Sequence, residues 1–221
     1  MTKSITRLFD SPAGALRAAE ELERTGIPHS DISFIGNNRE GWYDNKEGIR
    51  HDRLGRKKDV DHDGKDDRAE GAGKGAGTGA VLGGGAGLLA GLGMLAIPGL
   101  GPIVAAGWLA STATGAIAGA AAGGAVGGIL GALSKEGVPK EDAEVYAEAV
   151  RRGGSLLTVR APDDRIDDID ALLARYGGTE ASSRSTAYRS DGWDRFDSGA
   201  PEYTEQQIAA ERDRHRPASL R

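Results

Sequence analysis

The acidic run over 59–70, Asp-Val-Asp-His-Asp-Gly-Lys-Asp-Asp-Arg-Ala-Glu, has the residue types and spacing of a calcium loop. It matches the pattern D-x-[DN]-x-[DN]-G-x5-E at every specified position. Asp59, Asp61 and Asp63 offer side-chain oxygens, and Gly64 permits the sharp turn. Lys65 supplies its carbonyl, Asp67 acts directly or through water, and Glu70 closes the site with both oxygens. Such a carboxylate-rich set suits a hard dication, Ca2+ first. The opposing reading is a solvated acidic linker. Asp66 stands at the eighth loop position, where an aliphatic side chain usually pairs with a neighbouring loop. The incoming segment 49–58 contains Gly55 and too little apolar surface for a packed helix.

Other chemistries find less support. There is no cysteine, which excludes disulfides, thiolate catalysis and thiolate-bound metals. Gly71-Ala-Gly-Lys74-Gly75 lacks the Ser or Thr of a phosphate loop and has no strand before it. His29, His51, His62 and His215 are dispersed, with no HExxH pattern. Asp163, Asp164, Asp167, Asp168 and Asp170 read as exposed acids at the start of a helix. No nucleophile stands beside a recognisable base, so the expectation is a protein that is not an enzyme. A net charge of −5 excludes a generally basic nucleic-acid binder.

The loop leads straight into a stretch of a different kind. From Gly75 to Ser134 no residue is charged, in a chain where charged residues make up 28%. Glycine recurs at every fourth position: Gly71, Gly75, Gly79, Gly83, Gly87 and Gly91. The register returns as Gly107, Ser111, Gly115, Gly119, Gly123, Gly127 and Gly131. On a helix this spacing forms a ridge of small residues where two backbones approach closely. The expectation is a glycine-zipper α-helical hairpin over 71–134, with helices near 72–97 and 103–133 folded back at Pro98-Gly99-Leu100-Gly101-Pro102. Helix-packing positions would be Gly75, Gly79, Gly83, Gly87, Gly91, Gly115, Gly119, Gly123, Gly127 and Gly131. At ~1.5 Å per residue each helix exceeds the ~30 Å hydrocarbon core, so the hairpin reads as transmembrane. A water-facing helical pair buried within a homo-oligomer is the alternative, and a flexible Gly-rich linker is a third reading.

Two polar halves flank this stretch. In 1–38, Ile5-Thr6-Arg7-Leu8-Phe9 alternates like a strand, and Asp10-Ser11-Pro12 opens a helix with Ala15, Leu16, Ala19 and Leu22 on its apolar face. Ile32-Ser33-Phe34-Ile35 is a second strand. A polar linker with the acidic loop fills 39–70. In 138–182 the pattern is a helix from Lys140, a stop at Gly153-Gly154, a strand from Ser155, and a helix with Ile166, Ile169, Leu172 and Leu173 on one face. A short last strand near 179–182 would follow. Together the halves predict an α+β, ferredoxin-like split sandwich interrupted by the hairpin. Residues 183–221 are polar and read as a mostly disordered tail, with a short helix near 205–214.

The start of the chain lacks the apolar core of a cleavable signal. Cationic flanks, from Arg50, Arg53, Arg56, Lys57, Lys58, Arg68 and Lys74 to Lys135, Lys140, Arg151 and Arg152, place both halves and both termini on the cytoplasmic side of an inner membrane. A cytoplasmic soluble protein is the alternative, and in that reading the flanks are ordinary solvated linkers.

Three stretches carry a family likeness: Ile5-Thr-Arg-Leu-Phe-Asp-Ser-Pro12, Ile32-Ser-Phe-Ile-Gly36, and Tyr146-Ala-Glu-Ala-Val-Arg-Arg-Gly-Gly-Ser-Leu-Leu-Thr-Val159. They resemble bacterial general stress proteins of the heat-induced stress protein type, over about residues 4–36 and 138–178. In that family a small α+β domain is often interrupted by a glycine-rich hydrophobic segment. The resemblance implies a stress-associated protein with structural rather than catalytic motifs, and it transfers no active-site residue. The function expected is a non-enzymatic, membrane-associated stress protein whose α+β domain binds a protein partner. The alternative is a soluble, oligomeric, calcium-responsive assembly module.

Overall fold

The structure is a computed structural model and describes residues 2–43, 92–97, 99–110 and 124–215. Its strands are β1 (Thr2–Phe9), β2 (Ile32–Asn37), β3 (Gly93–Ile97), β4 (Gly101–Ala106) and β5 (Ser155–Pro162). Its helices are α1 (Pro12–Arg24), α2 (Gly124–Lys135), α3 (Lys140–Arg151), α4 (Ile166–Arg175), α5 (Ala181–Ser190) and α6 (Glu205–His215). Short 3-10 turns at His29–Asp31 and Asp163–Arg165 precede β2 and α4.

The first half folds for the reasons its sequence suggests. Ser11 caps α1, its hydroxyl accepting from Gly14 N–H at 3.3 Å, and Pro12 takes the first turn where no amide donor is needed. Leu16, Ala19 and Leu22 bury the apolar face, and Gly26 reverses the chain at φ +89°. β5 from the second half then inserts between β1 and β2, antiparallel to both. Register runs from Thr2 opposite Pro162 to Phe9 opposite Ser155 on one side, and from Ile32 opposite Val159 to Gly36 opposite Ser155 on the other. The two halves therefore build one α+β sheet, in the order β1-β5-β2-β4-β3.

Alternation along the strands feeds two cores. Ile5, Phe9, Phe34, Leu157 and Val159 face α1 and α4, meeting Leu16, Leu22, Ile169 and Leu173. Leu8, Ile35, Ile103 and Leu156 face the other way, toward Ile129 and Leu133 of α2, Tyr146 and Val150 of α3, and Tyr188 of α5.

The central stretch departs from the expected helical hairpin. Residues 93–97 and 101–106 are the strands β3 and β4, paired from Gly93 opposite Ala105 to Ile97 opposite Gly101. β4 also pairs with β2, Phe34 opposite Ala106 through Asn37 opposite Ile103. The Pro-Gly-Leu-Gly-Pro reversal is real but joins strands. Leu100 N–H closes it onto Ile97 O at 3.0 Å, and Gly99 sits at φ +81°, in the left-handed region that favours glycine. Gly107 is also left-handed, at φ +81°, and a Cβ there would stand 2.3 Å from Ile32 O, so this glycine permits a strand-end approach rather than a helix ridge. A period of four explains the difference: four is twice the strand repeat, so the same spacing aligns residues on one face of a strand as well as a helix. Of the expected second helix, 103–106 are strand, whereas 108–110 and the part of α2 from Gly124 onward are helical among the described residues.

The tail differs too. The short helix expected near 205–214 is α6, but the rest of the tail that reads as disordered is ordered over 183–204. Both α5 and α6 are folded onto the body with Arg184, Tyr188, Ile208 and Glu211 buried. The last strand expected near 179–182 shrinks to one bridge, with Leu8 and Thr179 exchanging backbone bonds of 2.9 and 2.8 Å before α5 begins. Among the described residues, no helix is long and apolar enough to cross a membrane.

Candidate functional site

The densest polar chemistry lies where α3 ends. Glu148, Arg151 and Arg152 are three and four residues apart on that helix, so all three project from one side. The Glu148 side chain is 0% exposed and accepts from both cations: Arg151 Nε at 2.9 Å and Nη2 at 2.8 Å, and Arg152 Nε at 2.7 Å. The Arg152 guanidinium lies 4.0 Å from the centre of the Tyr188 ring, and its Nη1 reaches Glu211 of α6 at 3.4 Å. Arg151 faces the rings of Tyr203 and Phe196 at 5.5 and 5.9 Å. Burial opposes charge on Arg152, yet the Glu148 bonds, with the charges of Glu148, Tyr203 and Glu211, more than offset it and raise its pKa above the usual arginine value. The Tyr188 hydroxyl is pushed up chiefly by burial.

Around this core α6 is fastened on both flanks. Arg212 donates from Nε to the Asp10 carbonyl at 3.1 Å and pairs with Glu40, while the Asp10 carboxylate takes Arg184 Nη2 at 2.6 Å. Glu211 also receives Arg214 at 3.0 Å and His215 at 3.1 Å. Ile208 drops into the space above Gly153, where a Cβ would stand 2.3 Å from its Cγ2. Gly153 ends α3 at φ +95°, so only glycine satisfies both the backbone and the isoleucine. The cleft that remains, lined by residues including Leu8, Arg152, Arg184, Tyr188 and Arg212, has a volume of about 10 Å³, room for one water.

A second polar group secures α2. Glu136, just past its end, accepts from Ser4 Oγ at 2.6 Å and from Arg160 Nε of β5 at 3.0 Å. The Arg160 bond is the main reason its carboxyl stays below the usual carboxylate range. The same guanidinium stacks 3.7 Å from the centre of the Trp108 ring. Both clusters are networks in which buried or half-buried charges meet charges or rings. Such arrangements dock elements against each other and set their register.

The residues singled out from sequence fall elsewhere. Asp59, Asp61, Asp63, Lys65, Asp67 and Glu70 lie outside the described residues, as do Gly75, Gly79, Gly83, Gly87, Gly91, Gly115, Gly119 and Gly123. Gly127 and Gly131 are in α2, and a Cβ on Gly131 would meet nothing within 4 Å, so no helix of this chain packs on it among the described residues. Arg151 and Arg152, counted as cationic flank, are 8% and 7% exposed and committed to Glu148, so they are not membrane-facing cations here. Among the described residues, no group of three His, Cys, Asp or Glu side chains could hold a metal ion. The Glu148–Arg151–Arg152 cluster did carry a local signal, an acid three and four residues before two arginines. Its partners in α5 and α6 had none. Comparison of the chain with protein-family models, curated proteins and solved structures finds no match.

Proposed function

We propose that this chain is a non-enzymatic, stress-associated protein of the general stress type, in which an α+β domain shelters a charge-free segment that associates with membranes. One observation carries the reading. The described parts of the charge-free run belong to the domain: β3 and β4 extend its sheet and α2 covers a face. A host that buries part of such a segment keeps it from water. For residues 93–106 the association would be peripheral, because strands of five and six residues packed in a sheet cannot double as spanning helices. We read the core as the ferredoxin-like split sandwich: β1-α1-β2 with β5 between the strands and α4 beside α1. In this view the β3–β4 hairpin is appended at one edge, and the Leu8–Thr179 bridge stands where a last strand would run.

Flotation of the full-length protein with bacterial-lipid vesicles, followed by an alkaline carbonate wash, tests this. The expected result is flotation that carbonate reverses. Resistance to carbonate would mean an integral hairpin and abandonment of β3 and β4. Failure to float would favour a second reading, a calcium-responsive homo-oligomer, supported by the four-residue glycine register and the acidic loop at 59–70. Light scattering with and without Ca2+ then decides that reading, with Asp59→Ala and Glu70→Ala as controls.

A further inference from the structure

The β3–β4 hairpin is held in place by a strap made from the other end of the chain. After α5, residues 191–204 cross the hairpin turn and lead into α6. Ser198 passes so close that a Cβ on Gly99 would lie 2.6 Å from its carbonyl oxygen. Glu202 pairs with Arg39 beside Gly101, next to the end of β2. Farther on, Arg212 pairs with Glu40 and Glu211 with Arg152.

The strap makes few apolar contacts with what it covers: Trp193 and Phe196, both half-buried, pack on the core beneath it. Ile208 is the single apolar residue of α6 that is buried. The outer pairs, Arg39–Glu202 and Arg212–Glu40, have side chains 29–38% exposed, where salt screens attraction. Beneath lie Ile97, Leu100, Ile103 and Leu109, with no charged residue anywhere in 92–110. Met94 of β3, 54% exposed, is the one large hydrophobic side chain left open among the described residues.

We infer that residues 191–215 are an electrostatic clasp, and that opening it presents the apolar β3–β4 hairpin to a lipid surface. The inference rests on the membrane reading above and adds its control. A lipid surface is the matching partner because the hairpin offers hydrophobic side chains with no charge to be desolvated. β2 and β3 pair both edges of β4, and the outer edge of β3, the last strand of the sheet, bonds water or headgroups at the interface. Raised ionic strength loosens the outer pairs and strengthens apolar association, so both effects act in the same direction.

The test uses the full chain as wild type, as Arg212→Glu, as Glu202→Arg, and as the charge swaps Glu40→Arg/Arg212→Glu and Arg39→Glu/Glu202→Arg. Amide exchange over 191–215 reads the clasp, amides of α1 and β5 report the fold, and flotation with phosphatidylcholine vesicles reads the partner. Each single reversal should speed strap exchange about tenfold and raise the vesicle-bound fraction several-fold. The Arg39/Glu202 swap should restore both, and the Glu40/Arg212 swap should restore them in part, because glutamate at 212 cannot replace the bond from Arg212 Nε to Asp10 O. Faster strap exchange with unchanged flotation overturns the clasp while leaving the membrane reading intact if the wild type floats. Flotation by no variant overturns both. Strap exchange unmoved by both reversals, or swaps that restore nothing, means that charge does not hold the strap and overturns the inference. Self-association rising without lipid binding makes a second copy the partner, which also overturns it.

Discussion

Replacing Glu148 with glutamine removes the one carboxylate that two buried arginines share. The side chain is fully buried and takes three hydrogen bonds from Arg151 and Arg152, so the change leaves two guanidinium groups facing an amide that can accept only through its oxygen. Breaking a buried ion pair from one side costs about 3–5 kcal/mol, because the surviving charge stays desolvated. Two features of the site moderate this. Arg152 keeps Glu211 at 3.4 Å and the Tyr188 ring at 4.0 Å, and Arg151 keeps the Tyr203 and Phe196 rings. The lower end of the range, about 3 kcal/mol, is therefore expected. For a chain of this size that lowers Tm by roughly 6–12 °C. Urea titration at pH 7, with the slope compared against wild type, measures it directly. A loss below about 1 kcal/mol would refute the argument that Glu148 neutralises both arginines.

Two further changes probe the same framework. The Tyr146 hydroxyl donates to Thr6 O at 3.0 Å, and its pKa is pushed up to about 12, chiefly by burial. The folded state then holds a proton that the unfolded chain releases near pH 10, so this stabilisation is complete below pH 10 and lost as pH rises toward 12. At about 1.4 kcal/mol per pH unit, the urea midpoint should fall steeply in that window. Tyr146→Phe should flatten the fall, and an unchanged alkaline limb would count against the assignment. Asn37 donates from Nδ2 to Val150 O at 2.9 Å and Leu100 O at 3.3 Å, tying β2 to α3 and to the hairpin turn. Asn37→Ala strands Leu100 O, while Val150 O keeps the Gly153 N–H at 3.0 Å, and should cost roughly 1–2 kcal/mol. Amides of β3 and β4 should exchange before those of β1 and β5; simultaneous exchange would show that Asn37 does not selectively secure the hairpin.

Local sequence carried some parts of this fold and was silent on others. β1, α1 and β2 were readable because Ser11-Pro12 and the spacing of Leu16, Ala19 and Leu22 are signals that neighbours alone create. The second half was readable through Gly153-Gly154 and the face of Ile166, Ile169 and Leu173. Over 93–106 the signal was ambiguous in principle, since a four-residue glycine repeat fits both periods. Pairing of Gly36 with Val104 and of Asn37 with Ile103 decided for strands. In the tail, low hydrophobicity pointed to disorder. What orders it is a handful of distant contacts: Ile208 on Gly153, Glu211 on Arg152, Arg212 on Asp10 and Glu40. Such pairs leave no periodicity to read.

The position of β5 between β1 and β2 also sets a timetable during synthesis. The sheet cannot close until β5 has emerged, and the end of β5 lies about 125 residues beyond the end of β2. At ~5–20 residues per second, translation takes roughly 6–25 s to cover that interval. Throughout it the charge-free run is already being produced while the scaffold that will bury part of it is incomplete. α6 follows later still, about 50 residues past β5, so the strap is the last piece to arrive. Every newly made copy thus passes through a period in which β3 and β4 lack both the sheet and the strap that cover them.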